Sequence, residues 1–173
     1  MLAFISHHEC YDHDAGPLHP EQPLRLEAIN NQLISSGLDY VLRHYDAPLV
    51  TRDQLLRVHD ADYIERVYAL APGEGMGSVE VDGDTVMSSG TLRAAERAAG
   101  AGVLAVDLVM SGAANPAFCA VRPPGHHAER QTAMGFCLFN NIAVAAAHAL
   151  DAHGLDRVAI VDFDVHHGNG TED

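Results

Sequence analysis

The chain has few basic residues, few cysteines and no long apolar run, and each shortage excludes a class of protein. Only 10 lysines and arginines stand against 24 aspartates and glutamates, giving a formal net charge of −14. Such a chain should repel nucleic acid, because nucleic-acid affinity comes mostly from phosphates neutralised by basic side chains. No apolar stretch approaches the roughly 20 residues of a membrane span, and residues 1–6 lack the basic start of a signal peptide. We therefore expect neither a nucleic-acid nor a membrane partner.

Cysteine is represented only by Cys10, Cys119 and Cys137, which are widely spaced and form no C-x-x-C motif. An odd, scattered set is typical of reduced thiols in a cytoplasmic chain. We expect these residues to be small apolar core positions rather than nucleophiles.

Histidine, in contrast, is abundant. The 173 residues fit one domain, and 47% apolar with 20% charged residues exclude a disordered, collagenous or coiled-coil chain. The 12 histidines include three adjacent pairs, a density that indicates metal or proton-transfer chemistry. His44, His148 and His153 fall on helical or linking segments, where we expect surface positions.

The hydrophobic pattern predicts an α/β fold, with a parallel sheet and flanking helices. Predicted strands cover residues 2–6, 117–121 and 157–163, and predicted helices cover 25–36, 51–58, 60–70, 90–110 and 141–153. Asp60 and Asn140 are expected to cap the helices that follow them. Residues 72–83 are expected to form an exposed loop. The last two strands and the helix between them predict a parallel β-α-β unit, with 117–121 as a central strand.

Two polar segments, 122–136 and 162–171, begin where the last two predicted strands end. Ligands of open α/β sheets bind beyond the carboxyl ends of the strands. The fold and the polar segments therefore indicate the same location for a site.

Asp162, Asp164 and His166 alternate along the second segment, so they share one face of an extended chain. Two carboxylates and an imidazole on one face repel each other unless a cation lies among them. This donor set suits zinc or another first-row divalent ion. The alternative is a polar loop after a core strand.

The first segment reads Arg-Pro-Pro-Gly-His-His-Ala over residues 122–128. Two prolines and a glycine stiffen the backbone ahead of His126 and His127, and rigid presentation favours a general base. The alternative is a structural, hydrogen-bonded pair. Gly135 and Phe136 could form an aromatic wall at the entrance, although such a phenylalanine on its own is more typical of a core.

Together the stretches 122–128, 135–141 and 162–170 resemble the zinc-dependent histone deacetylase family of the arginase–deacetylase superfamily. Weaker similarity covers residues 19–25, 58–64 and 84–91. Asn169 and the Asp84-Thr-Val-Met run are more similar to the class II and bacterial branch than to class I. The resemblance implies an arginase/deacetylase-like fold.

The resemblance also implies roles for individual residues. It makes Asp164 and His166 two of three zinc ligands, with Fe²⁺ as an alternative metal. It makes His127 the general base toward a metal-bound water. It makes His126 a proton-transfer partner held by Asp162, and Asn169 the residue that orients His127. Gly135 and Phe136 would be walls of the acyl-lysine channel, Asp84 a substrate contact at its rim, and Arg25 a residue behind the site. A structural potassium ion would lie among Asp162, Asp164 and His166.

By resemblance the chain is a zinc-dependent amidohydrolase that removes acetyl groups from acetylated lysine. Two alternatives stay open: an acetylpolyamine or other small-amide deacetylase, and an inactive module that binds metal or acyl groups. The family's domain is longer, and its third zinc ligand and oxyanion-stabilising residue follow the second motif. We therefore expect residues 1–173 to be the N-terminal portion of a single deacetylase-like domain that is inactive alone, with its oligomeric state left open.

Overall fold

The apolar amino-terminal segment forms the middle of a parallel sheet. The computed structural model describes all 173 residues and places β1 (Leu2–Ser6) between β2 (Leu42–Asp46) and β5 (Ala117–Cys119). Both neighbours run parallel to β1. Ala3, Phe4 and Ile5 are buried, as expected for a strand paired on both edges and covered on both faces. A second sheet is the antiparallel pair of β3 (Val79–Asp82) and β4 (Thr85–Met87).

Six α-helices surround or follow the sheet. They are α1 (Leu24–Ser35), α2 (Arg52–Leu55), α3 (Ala61–Leu70), α4 (Thr91–Met110), α5 (Asn141–His153) and α6 (Asn169–Glu172); short 3₁₀ helices cover His8–Tyr11 and Leu38–Val41. The alanine-rich α4 packs against β1, β5 and α5. Gly102 permits the approach to α5, since a Cβ there would lie 3.0 Å from the Cβ of Ala145. No helix is both long enough and apolar enough to cross a membrane.

Several predicted elements are confirmed. β1 has the predicted bounds, α4 begins one residue later than predicted, and α5 has both predicted ends. The Asn140 side chain accepts a hydrogen bond from the Ala143 N–H at the start of α5, and Gly154 ends the helix in the left-handed region, with φ 64°. All three cysteines are free thiols.

The predicted strand over residues 157–163 is wrong, and so is the β-α-β unit. Residues 155–168 run from α5 to α6 without joining a sheet, and Val161 and Phe163 are 83% and 96% exposed. The segment has the apolar composition of a buried strand, but no neighbouring strand satisfies its N–H and C=O groups. For the same reason β5, predicted to be central, is an edge strand beside β1.

Three further predictions need correction. Residues 79–82 lie in the β3–β4 hairpin rather than in a loop. The strand β2 had no prediction, because its five residues are mostly polar and carry little apolar signal. Asp60 precedes α3 without capping it by its side chain, because its carboxylate accepts a hydrogen bond from Gln131 instead. His148, expected on the surface, is buried between α5 and α4.

Candidate active site

The two predicted site segments meet, although only one of them follows a strand of the sheet. Residues 122–128 follow β5, and residues 162–168 lead into α6. The N–H groups of Gly170 and Thr171 donate to the His126 carbonyl at 3.0 and 3.2 Å. Gly170 lies so close that a Cβ would stand 2.2 Å from the Ala128 carbonyl oxygen. The beginning of α6 therefore holds the second segment against the first.

The proton of His127 is located by a chain of hydrogen bonds. Asn169 Nδ2 donates to the Glu129 carboxylate at 2.8 Å, and a carboxylate only accepts. This contact turns Asn169 Oδ1 toward His127 Nδ1, 2.7 Å away. Because Oδ1 is an acceptor, the Nδ1 of His127 carries a proton, so Nε2 is the nitrogen whose lone pair can accept one.

His126 is also held through its Nδ1, in this case by a carboxylate. Its Nδ1 lies 2.8 Å from Asp162 Oδ2, and the second oxygen of Asp162 accepts the Asp164 N–H at 3.1 Å. The hydrogen bond from His126, followed by that from the Asp164 backbone, lowers the pKa of the Asp162 carboxyl. Close packing depends on Gly168, since a Cβ there would lie 2.6 Å from Asp162 Oδ2.

Asp164 and His166 present two metal-ligating atoms side by side. Asp164 Oδ2 and His166 Nδ1 are 3.0 Å apart, close to the roughly 3.3 Å that separates two ligands of a tetrahedral zinc ion. The His166 N–H donates to Asp164 Oδ2 at 2.7 Å, and this backbone contact is the first cause of the lowered pKa of the Asp164 carboxyl. A carboxylate oxygen and an imidazole nitrogen fit zinc or Fe²⁺, but no third carboxylate, imidazole or thiol converges with them.

These groups surround a cleft of about 740 Å³, which His126, His127, Asp164 and His166 line together. The His126 and His127 ring centroids are 4.1 Å apart, and those of His127 and His166 are 5.9 Å apart. The structure therefore brings the predicted general base and the predicted metal ligands to one cleft. Asp162 and Asn169 lie behind these residues as hydrogen-bonding partners.

Gly135 and Phe136 form a wall of this cleft. Both adopt left-handed backbone angles, with φ 56° and 70°, a conformation that costs energy at a phenylalanine. A Cβ on Gly135 would lie 2.4 Å from the His127 ring. Glycine is therefore required for the wall to approach the imidazole so closely.

The predicted rim residue lies beside that wall. The Phe136 N–H donates to Thr85 Oγ1 at 3.1 Å, and the neighbouring Asp84 also lines the cleft. His19 packs edge-on against Phe136 and lies 3.1 Å from the Asp84 carbonyl oxygen through Nε2. Arg25, predicted behind the site, lines the cleft and donates to the Val121 carbonyl.

A buried charge network beneath the cleft was missed by sequence reasoning. Arg122, fully buried, donates from Nε and Nη2 to both carboxylate oxygens of Glu21 and from Nη1 to the Cys10 carbonyl. Burial opposes ionisation of Glu21, but the contacts of His13 and Arg122 outweigh it and lower the pKa of Glu21 to about 2. His13 Nε2 lies 3.3 Å from Glu21 Oε2, outside hydrogen-bond geometry. No signal in the sequence joins residues 101 positions apart.

Comparison with known proteins gives these observations a context. A family model described as the histone deacetylase domain matches residues 19–173. The chain is 44% identical over 154 residues to a histone deacetylase-like amidohydrolase of Pseudomonas aeruginosa. This match covers 89% of the chain and 40% of that protein. It is 39% identical over 155 residues to the polyamine deacetylase HDAC10 of Homo sapiens, covering 88% of the chain and 23% of that protein.

The fold also matches a solved structure. The crystal structure of the HDA15 HD domain superposes with a TM-score of 0.89 at 37% identity, covering 99% of the chain and 48% of that domain's chain. This match confirms the predicted α/β class, with its parallel sheet and flanking helices. The chain spans about half the length, or less, of the proteins named here.

Proposed function

Because the chain belongs to the histone deacetylase family, we propose that its cleft is part of the active site of a zinc-dependent amidohydrolase that removes acetyl groups from acetylated lysine. The observation that carries the proposal is the orientation of His127. Its Nδ1–H is fixed by Asn169 Oδ1, so Nε2 is a free acceptor beside Asp164 and His166 in the same cleft.

His127 thus has the form that a general base needs. The Asn169 contact defines Nδ1 as the donating nitrogen and leaves Nε2 as the accepting one. The ring packs so closely on Gly135 that a Cβ there would lie 2.4 Å from it. Asn169 is an uncharged partner, so it orients the imidazole without adding a negative charge that would hold the proton after transfer. Glu129 secures the amide of Asn169.

His126 and Asp162 form the second proton-handling pair. A carboxylate that accepts from Nδ1 stabilises a protonated imidazole, and their 2.8 Å contact meets this requirement. We propose that His126 is the proton-transfer partner of His127 when the leaving amine is protonated. The 4.1 Å between the two ring centroids puts the imidazoles side by side for this role.

Asp164 and His166 would hold the metal, with the third ligand and the oxyanion-stabilising residue supplied by the later part of the family's domain. Bound zinc would polarise the acyl carbonyl and would lower the pKa of its water toward ~7. Asp162, Asp164 and the His166 carbonyl stay a predicted potassium site, and residues 1–173 stay a predicted N-terminal portion of one domain. The cytoplasmic location likewise stays a prediction from the cysteine pattern.

The substrate class has two candidates. The net charge of −14 favours cationic substrates, which include both lysine-rich protein segments and polyamines. Similarity to a protein named polyamine deacetylase favours an acetylated polyamine as the second candidate. We propose acetylated lysine first, because Gly135 and Phe136 line the cleft, and the resemblance to the histone deacetylase family implies that these two residues are walls of an acyl-lysine channel.

A chimera tests the proposal. Residues 1–173 would replace the matching segment of the Pseudomonas aeruginosa amidohydrolase, and acetate release from acetyl-lysine peptide and acetylspermidine would be measured with added Zn²⁺. We expect metal-dependent hydrolysis, and we expect H127A to lower kcat/KM by about 100-fold or more because the general base is lost.

The matched control is H44A, which removes an exposed histidine that pairs with Asp39 far from the cleft, and it should leave the rate unchanged. The 173-residue chain alone should release no acetate above background. A folded but inactive chimera would favour the inactive binding module instead, and hydrolysis of acetylspermidine alone would reassign the substrate.

A further inference from the structure

A second group of metal-ligating side chains lies away from the cleft. Asp107 of α4 faces His148 and His153 of α5, and their ligand atoms all lie within 4.8 Å of one another. Asn141 at the start of α5 lines the active-site cleft. His148 and His153 come seven and twelve residues later, about 10 and 18 Å along the helix. The group is therefore at the opposite end of α5.

The three side chains converge on a single oxygen. Asp107 Oδ1 is 2.8 Å from His148 Nε2 and 2.7 Å from His153 Nε2. Ligands of a divalent metal with bonds near 2.05 Å lie about 2.9–3.3 Å apart, so a small outward movement would admit an ion. His148 is buried, whereas Asp107 and His153 are partly exposed, which leaves a route from solvent.

The dipoles of α4 and α5 favour a cation beside Asp107. Gly102 of α4 faces Asn141 and Ala145 of α5, and Asp107 faces residues further along, so the two helices run in the same direction. Their C-terminal ends, at Met110 and His153, therefore bring two partial negative charges to the Asp107 carboxylate. Burial opposes ionisation of Asp107, but hydrogen bonds from His148 and His153 outweigh it and lower the pKa of its carboxyl.

Arg57 opposes a metal at this place. Its Nη1 is 3.0 Å from His148 Nδ1, and since a guanidinium only donates, His148 must carry its proton on Nε2. Metal binding at Nε2 would move that proton to Nδ1, where it would face the N–H group of Arg57 as a second donor. Arg57 also pairs with Asp151 Oδ2 at 2.7 Å, so it can leave His148 without losing its charge partner.

We propose that Asp107, His148 and His153 form a Zn²⁺-binding site, separate from the cleft, that joins the C-terminal ends of α4 and α5. Two imidazoles and a carboxylate are a zinc donor set with an open position for water. In the metal-free state the three groups hold each other by hydrogen bonds, and Arg57 competes with the ion through His148. The proposal does not depend on the deacetylase assignment.

Zn²⁺ titration of the D164A/H166A variant of the 173-residue chain tests this proposal, because that variant lacks the two donors in the cleft. Calorimetry should give one bound equivalent, and Zn²⁺ should raise Tm by linkage. Adding D107N or H153A should weaken binding at least tenfold and abolish the rise in Tm. Circular dichroism would verify that each variant is folded.

H44A is the matched control, since it removes an exposed histidine from a single histidine–carboxylate pair, and it should leave Zn²⁺ affinity unchanged. R57M should tighten binding several-fold by freeing His148 Nδ1. Undiminished affinity in both D107N and H153A, or an equal loss in H44A, would overturn the site. Unchanged or weaker binding in R57M would overturn the competition by Arg57.

Discussion

Groups that only accept or only donate determine the proton positions of this protein's histidines. Glu129 turns the amide of Asn169, and that amide then fixes the proton of His127. Arg57 only donates, so its contact with His148 makes Nδ1 the accepting nitrogen and places the proton on Nε2. The family resemblance implied Asn169 as the partner of His127, but neither Glu129 nor Arg57 was predicted, because the contacts of these two residues join positions that are far apart in the chain.

The Glu21–Arg122 pair predicts a specific pH dependence of stability. The pKa of Glu21 is lowered from 4.5 to about 2 in the folded chain, so its stabilisation is complete above about pH 5 and is lost as pH falls toward 2. Linkage gives a loss of about 2 kcal/mol in the free energy of unfolding between pH 5 and pH 3 from this group. E21Q should remove that component of the pH dependence in urea unfolding.

E21Q should also be less stable at pH 7 by about 3 kcal/mol, because it leaves the buried Arg122 without its charge partner. E27Q is the matched control, since Glu27 is exposed on α1. An E21Q variant whose stability falls between pH 5 and pH 3 as steeply as that of E27Q would contradict the assignment of the low pKa to Glu21.

At the scale of elements, α5 connects the cleft to the core through its first residues. Asn140 caps the helix through Oδ1, and its Nδ2 lies 3.3 Å from the Ala128 carbonyl and 3.2 Å from Thr171 Oγ1. Its own N–H donates to His59 Nε2 at 3.0 Å. A capping residue identified from sequence thus also ties both site segments to one helix.

We expect N140A to lower the free energy of unfolding by about 2–4 kcal/mol. The lost cap accounts for about 1 kcal/mol, and the buried Ala128 carbonyl and partly buried Thr171 hydroxyl left without a donor account for the rest. Hydrogen exchange should also become faster at Gly170 and Thr171, because the contact that helps hold α6 is gone. Urea unfolding and amide exchange measure the two effects.

T51A provides the control for this experiment. Thr51 forms a complete capping box with Gln54 at the exposed α2, so its removal should cost about 1 kcal/mol and leave exchange at α6 unchanged. Equal losses in N140A and T51A would show that Asn140 acts only as a cap.

For the whole molecule, the exposed segment 155–168 determines behaviour in solution. Val161, Phe163 and Val165 are 83%, 96% and 90% exposed, and no strand pairs with either edge of the segment. An apolar strand sequence with open edges promotes association. We therefore expect the purified chain to self-associate as its concentration rises from about 1 to 100 µM.

F163E should reduce this association, as measured by light scattering after size-exclusion chromatography. L18E is the matched control, because Leu18 is 97% exposed but lies outside the segment. A chain that stays monomeric over this range, or one that L18E makes monomeric to the same extent, would contradict a role for the segment.

The sequence by itself determined the local features of this protein. Periodicity and end signals are carried by neighbouring residues, so they predicted β1, α1, α4 and α5, and the motifs around His127 and His166 predicted which side chains meet in the cleft. Tertiary structure decided everything that needs a distant partner. An apolar run at 157–163 becomes a strand only where another strand offers hydrogen bonds, and Arg122 with Glu21, or Asp107 with His148 and His153, become a network only when folding brings separate elements within about 3 Å.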